Sequence, residues 1–155
     1  MHLRKQQRID LLQDVSLFAG CSKSELSKIA SLTTEHTVEP GHVLTKQGEL
    51  GREFFVIVEG TATASRKGKR MAKLGPGSFF GELALLDGGE RTATVVADTP
   101  MRLLVLSEGE FCNLYFLVPS VARKIIAELG SRLRRTYEVL DPGGKLGAAA
   151  GVWSL

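Results

Sequence analysis

The sequence predicts a mainly β domain flanked by helices, with its strands folded as an antiparallel sandwich or barrel. Three observations carry that expectation. Short β-prone runs recur between Thr33 and Leu106, with a turn signal at each break. Amphipathic helical patterns with capping signatures stand before and after those runs. Seventeen glycines against five prolines supply the tight corners that many short strands need. At 155 residues the chain has the length of one domain with one core.

Composition narrows the classes further. Hydrophobic residues make up 43% and charged residues 24%, which is ordinary for a soluble globular chain and too apolar for disorder. No apolar run reaches the roughly 18–20 residues of a membrane-spanning helix. Asp10, Gln13 and Asp14 interrupt the N-terminal stretch where a signal peptide needs an unbroken apolar segment. Two cysteines, Cys21 and Cys112, are too few for a disulfide framework. A soluble protein of a reducing compartment, the cytoplasm, is the expectation. A net charge of +3 is too small to imply nucleic-acid binding without clustering.

The elements follow in order. Leu3, Ile9, Leu11, Leu12 and Val15 among Arg4, Lys5, Gln6, Gln7 and Arg8 give a loose amphipathic helix. Ser22 and Glu25 make a capping box, with Cys21 and Leu26 as its hydrophobic staple, and start a helix over 22–31 after a turn at Leu17 to Gly20. Strands are expected at 33–38, 42–46, 53–59, 61–66, 70–74, 91–98 and 101–106. The continuous apolar run from Phe54 to Val58 marks a central strand. The basic stretch from Arg66 to Arg70 reads as a solvated hairpin tip, against contact with an acidic partner or lipid headgroups. A second capping box, Ser107 and Glu110 with Leu106 and Phe111 as staple, opens a short helix through about Phe116. Pro119 suits the first turn of a helix over 119–140. Its stripe of Val121, Ile125, Leu129, Leu133, Tyr137 and Leu140 either covers the roll or pairs in a homodimer. Residues 141–155, rich in glycine and alanine, read as a flexible tail, so the domain is expected to span 1–140.

One stretch, Gly75 to Thr94, departs from strand-and-turn grammar. A helix-like run from Glu82 to Leu86 is inserted between two strands, then followed by a glycine turn and Arg91. The unpaired N–H groups at the start of such a turn suit an anion. Gly81 lets backbone approach that anion closely, and Arg91 can give phosphate oxygens a bidentate charged contact. Glu82 repels a phosphate but suits a hydroxyl donor beside it, such as a ribose 2′-OH. The constellation asks for a phosphorylated sugar.

Phe80 to Leu86, followed by Arg91, Thr92 and Ala93, resembles the phosphate-binding cassette of the cyclic-nucleotide-binding domain family. Pro40 and Gly41, Gln47 to Glu49, Phe54 to Gly60 and the helix from Pro119 through Arg134 fall in that family's order and spacing, so the likeness covers roughly residues 15–140. It implies an eight-stranded antiparallel β-roll of jelly-roll type (a double-stranded β-helix) with N-terminal helices and a long C-terminal helix, binding cAMP or cGMP inside the roll. By the same resemblance Glu82 accepts the ribose 2′-OH, and Gly81 and the N–H groups of Leu83 and Ala84 line sugar and phosphate. Arg91 pairs with the exocyclic oxygens, and Thr92 and Ala93 add contacts. Thr136 falls where bacterial cAMP-receptor transcription factors carry an adenine-contacting threonine. Thr92 occurs in members selective for either nucleotide; cAMP is the expected ligand and cGMP the rival.

No catalytic activity is expected. His2, His36 and His42 lack metal-ligand spacing, and no acid–base pair or nucleophile constellation is visible. Cys21 and Cys112 are expected to be small buried apolar groups. The fifteen residues after 140 are too few for a helix-turn-helix, so direct DNA reading is not expected. The expected function is a cyclic-nucleotide sensor whose last helix shifts on binding, with Leu85, Leu86 and Phe111 relaying the shift. Its output is an effector protein, a change of oligomeric state or nucleotide buffering. A regulatory fragment of a larger enzyme, channel or transporter, and a degenerate roll that serves only as an interaction module, are the alternatives.

Overall fold

The computed structural model describes residues 2–82 and 89–140. The central strand foreseen from the apolar run is β3 (Glu53–Glu59), and its alternation divides the interior in two. Phe54 and Val56 point to a helical layer, where they pack with Ile9, Leu12, Phe18, Leu26, Ile29 and Phe111. Phe55 and Ile57 point the other way, into the roll, with Phe80, Val95, Leu103 and Val105. A strand buried on both faces needs an unbroken apolar run, and the sequence supplies one. β8 (Met101–Ser107) does the same, with Leu104 and Leu106 on the helical side.

The remaining strands are β1 (Thr34–Val38), β2 (Val43–Thr45), β4 (Ala62–Arg66), β5 (Lys69–Leu74), β6 (Phe79–Phe80) and β7 (Thr94–Ala97). They form two four-stranded antiparallel sheets, β1-β8-β3-β6 and β2-β7-β4-β5. The eight-stranded roll of the sequence reading is the observed architecture. Two details differ. β6 is two residues long, too short for a period-2 pattern to reveal. The strand expected at 91–98 begins at Thr94, because the backbone of Arg91 is taken by a loop: its N–H donates to Glu49 O (2.7 Å) and its carbonyl accepts from Gly48 N–H (2.9 Å).

Among the described residues the helices are α1 (Lys5–Gln13), α2 (Lys23–Leu32), α3 (Glu108–Leu117) and α4 (Pro119–Leu140), with a 3-10 turn at Ser16–Phe18. The first capping box forms in full: Ser22 Oγ accepts from Glu25 N–H (3.1 Å) and Glu25 Oε1 accepts from Ser22 N–H (2.8 Å). Ser107 Oγ likewise accepts from Glu110 N–H (3.2 Å), and Leu106 and Phe111 are buried in one cluster. Cys21 packs partly buried against the helical core, whereas Cys112 is exposed, contrary to expectation. α3 turns Phe111 and Leu114 inward, which leaves position 112 on the outer face.

The stripe on α4 divides. Val121 is fully buried and Leu129 packs on the helical core, while Leu133 and Leu140 are 50% and 68% exposed, as is Val139 beside the stripe at 80%. Its first half therefore covers the domain's own core. The Ile125 side chain, residues 83–88 and the tail from 141 onward lie outside the described residues. The β4–β5 hairpin projects Arg66, Lys67, Lys69, Arg70 and Lys73 into solvent, as its composition suggested. β5 ends its sheet and carries a bulge at Met71, opposite the junction of Ala64 and Ser65. Among the described residues, no helix is long and apolar enough to cross a membrane.

The start of α4 is fastened to α2 through the same carboxylate that caps α2. Glu25 accepts from Lys124 Nζ (2.6 Å) and from Ser120 Oγ. These bonds, the lysine's foremost, lower the Glu25 pKa from 4.5 to about 2. A carboxylate held low stabilises the fold above its unfolded value and loses that contribution as pH falls through the folded one. Glu25→Gln keeps the capping geometry and removes the charge, so it is expected to cost about 1 kcal/mol near neutrality. Denaturant melts should show that deficit shrinking between pH 4.5 and about 2; a deficit undiminished at the acid end would contradict the link.

Candidate functional site

Among the described residues Arg91 is the one charged residue that is buried as a whole, 8% exposed. An ionised group out of water is costly unless it is hydrogen-bonded, and two backbone carbonyls meet that need. Arg91 donates from Nη1 to Gly81 O (3.2 Å) and from Nη2 to Glu53 O (2.7 Å). The guanidinium also lies 5.9 Å from the centroid of the Phe55 ring. Burial pulls the Arg91 pKa below its ordinary value, and the carboxylates of Glu53 and Glu82 pull it back. The group stays charged at neutral pH.

Two glycines make this placement sterically feasible. A Cβ on Gly51 would stand 1.8 Å from Arg91 Nε and 2.2 Å from Cζ, so the arginine lies where a side chain would be. Gly81 has φ +92°, and a Cβ there would be 2.6 Å from both Arg91 Nη1 and Glu53 O. The segment leading to Gly51 is stitched to the chain after Arg91. Thr45 Oγ1 donates to Ala93 O (3.0 Å), and Thr94 Oγ1 accepts from Gln47 N–H (3.0 Å).

Two cavities share Arg91 as a wall. The smaller, about 160 Å³, is lined by Phe79, Phe80, Gly81, Glu82, Glu90, Arg91 and Thr92. It gathers five of the residues the sequence singled out. The larger, about 480 Å³, lies on the Gly51 side and includes Thr45, Glu49, Glu53 and Thr94. Ala93 lines neither cavity, and its carbonyl accepts from Thr45 Oγ1. Leu83 and Ala84, with Leu85 and Leu86 after them, lie outside the described residues. Thr136 stands apart: it lines a separate groove on α4 with Arg132, Arg135, Val139 and Leu140, and its hydroxyl donates to Arg132 O (3.1 Å).

Sequence reasoning missed Gly51 and Glu53. Gly51 read as one of several turn glycines, and its role is close approach instead of a turn. The contact from Glu53 is made by its carbonyl, which no side-chain pattern reports. The clue was the pair Gly48 and Gly51, one glycine more than a single turn requires.

Chemically, the site offers a fixed guanidinium, two of whose five N–H groups are taken by carbonyls. Its planar fork matches a phosphate or carboxylate. Beside it Glu82 can accept from a hydroxyl. Among the described residues no cluster of three or more His, Cys, Asp or Glu could hold a metal.

Comparison with known proteins adds to the geometry. The family model described as "Cyclic nucleotide-binding domain" matches residues 35–117. The cGMP-dependent protein kinase egl-4 of Caenorhabditis briggsae is 36% identical over 118 residues, 72% of this chain and 16% of the kinase. A cAMP-dependent protein kinase regulatory subunit of Mycosarcoma maydis is 41% identical over 113 residues, 66% of this chain and 21% of that protein. The regulatory domain of Toxoplasma gondii PKA, solved with cAMP, superposes with a TM-score of 0.69 at 27% identity, over 81% of this chain and 50% of that one. The chain thus spans about a fifth or less of the two curated relatives.

Gly51→Ala is expected to expel the Arg91 side chain while leaving the sheets intact. The Arg91 Nε–Hε resonance should move with the far-ultraviolet circular dichroism unchanged, and a resonance that stays in place would refute the packing described. Gly81→Ala imposes a strained φ as well as a clash, so it should cost about 1–3 kcal/mol in urea unfolding.

Proposed function

Because the chain belongs to the cyclic nucleotide-binding domain family, we propose that it binds a cyclic nucleotide against Arg91 and acts as a non-catalytic regulatory module. The supporting observation is the juxtaposition of the buried Arg91 with Glu82 in one cavity. In this reading Arg91 holds the exocyclic phosphate oxygens, and Glu82 accepts the ribose 2′-OH. Gly81 lets the backbone close on the sugar, with Leu83 and Ala84 contributing N–H groups. Phe80 and Thr92 complete the wall, and Ala93 adjoins Thr92 in the chain. The 160 Å³ cavity suits the phosphate and one edge of the sugar, so the base extends past its mouth. Thr136 takes part only where α4 moves onto the cavity.

We place cAMP ahead of cGMP, supported by the cAMP-dependent regulatory subunit and the cAMP-bound Toxoplasma domain; the kinase named for cGMP keeps that nucleotide as the rival. Regulation follows if the ligand binds two arrangements of α4 with different affinity, since nothing else can shift their populations. Residues 1–140 form the binding unit in this reading, the tail from 141 stays outside it, and an effector protein receives the output.

A ligand that binds the folded state alone raises its melting temperature. Thermal-shift titrations with cAMP, cGMP and AMP are expected to show stabilisation by the cyclic nucleotides, cAMP most, and none by AMP. Charged hydrogen bonds contribute about 1.5–3 kcal/mol each, so Arg91→Ala should weaken binding about tenfold to a hundredfold in calorimetry. An Arg91→Ala variant that binds cAMP as tightly as the wild type would overturn the assignment.

A further inference from the structure

β6 is two residues long, and successive strand residues face opposite sides of a sheet. Phe80 faces inward, its ring stacked on Phe55 at 4.8 Å and 15°. Phe55 in turn lies beneath the Arg91 guanidinium, and the carbonyl of the next residue, Gly81, is held by Arg91 itself. Phe79 faces outward onto Phe54, with ring centroids 5.6 Å apart. Above that ring, 4.2 Å from its centroid, sits the guanidinium of Arg132 on α4. Arg132 is not a loose surface side chain. It donates to Ser16 Oγ in the 3-10 turn and pairs with Glu128 one turn earlier at 3.6 Å.

β6 is therefore caught between two arginines, one belonging to the cavity and one to the long helix. It pairs with β3 through Phe55 with Phe80 and Val56 with Phe79, and Ile57 bonds the two residues just before it, donating to Ser78 O and accepting from Gly77 N–H, so its Gly81 end is the less fastened one. A strand so short has little to resist a displacement of Gly81 and Phe80. An anion that draws on the remaining N–H groups of Arg91 pulls on the guanidinium, the Gly81 carbonyl bonded to Nη1 follows, and Phe79 lies two residues before it.

We propose that Arg132, stacked on Phe79, is the positioning residue through which occupancy of the Arg91 cavity sets the placement of α4. The inference rests on the nucleotide reading given above and adds the residue pair that transmits it. A cation on an aromatic face contributes about 0.5–2 kcal/mol, which bounds the coupling at about twofold to thirtyfold in affinity. Coupling is reciprocal, so severing it alters nucleotide affinity as well as the response of the helix.

The test is hydrogen–deuterium exchange on the full chain, with and without saturating cAMP, for the wild type, Arg132→Gln, Arg132→Lys and Phe79→Leu. In the wild type cAMP should change exchange both at 79–82 and at 129–140. In Arg132→Gln and Phe79→Leu the change at 79–82 should persist while that at 129–140 falls by at least half. Arg132→Lys, which keeps a cation near the ring, should restore part of it. Calorimetry should show both single variants shifting the Kd by about twofold to thirtyfold, and the double variant no further than either single one. If Arg132→Gln lowers the melting temperature but leaves the helix response at its wild-type size, Arg132 is a structural staple and the proposal falls. If the wild type shows neither cAMP binding nor a change at 79–82, the nucleotide reading itself is wrong, and this inference goes with it.

Discussion

Arg91 reaches the carbonyl oxygens of Gly81 and Glu53 from a side chain almost wholly removed from water. Desolvating a guanidinium costs several kcal/mol unless its N–H groups find partners, so this pair of bonds constrains everything near it. Gly51 must lack a side chain, Gly81 must adopt a left-handed backbone, and the loop from Thr45 to Glu49 must be sewn to residues 91–94. A site built in this way is held in shape by the fold before any ligand arrives. That preorganisation lowers the ordering cost of binding.

The two faces of the first sheet divide the work. On one side β3 and β8 meet the helices, and on the other they close the roll. The cavity and α4 thus lie on opposite sides of the same strands, joined at the sheet's edge by Phe79 and Phe80. Glu25 fastens the beginning of α4 to α2, while Leu133, Val139 and Leu140 leave its end exposed. One end of the helix is anchored and the other is exposed.

Periodicity, capping and turn chemistry made most of the framework legible. The apolar run at Phe54 announced a doubly buried strand, and Ser22 with Glu25 announced the start of α2. The limits of that reading are equally physical. Two residues cannot display a period, so β6 was invisible. Arg91 reads as strand because a β-prone run follows it, yet its backbone bonds go to the loop at Gly48 and Glu49. Cys112 looked apolar by type, but helix geometry places it beside, and not upon, the buried face. The contacts of Gly51 and Glu53 arise from absent or backbone atoms, which sequence patterns do not encode. Thr136 illustrates the converse: its position in the chain matched a family role, while its hydroxyl lies in a different groove from Arg91.

The edge of the second sheet carries its own consequence. β5 ends that sheet among the described residues, which normally leaves a row of backbone groups open to strand addition. Here Lys69, Arg70 and Lys73 line the edge, and the bulge at Met71 interrupts its register. A second copy of the hairpin would meet like charges on a kinked template, and self-association there is disfavoured on both electrostatic and geometric grounds. The basic hairpin, read from the sequence as a solvated tip, thereby also disfavours fibrillar growth through this edge.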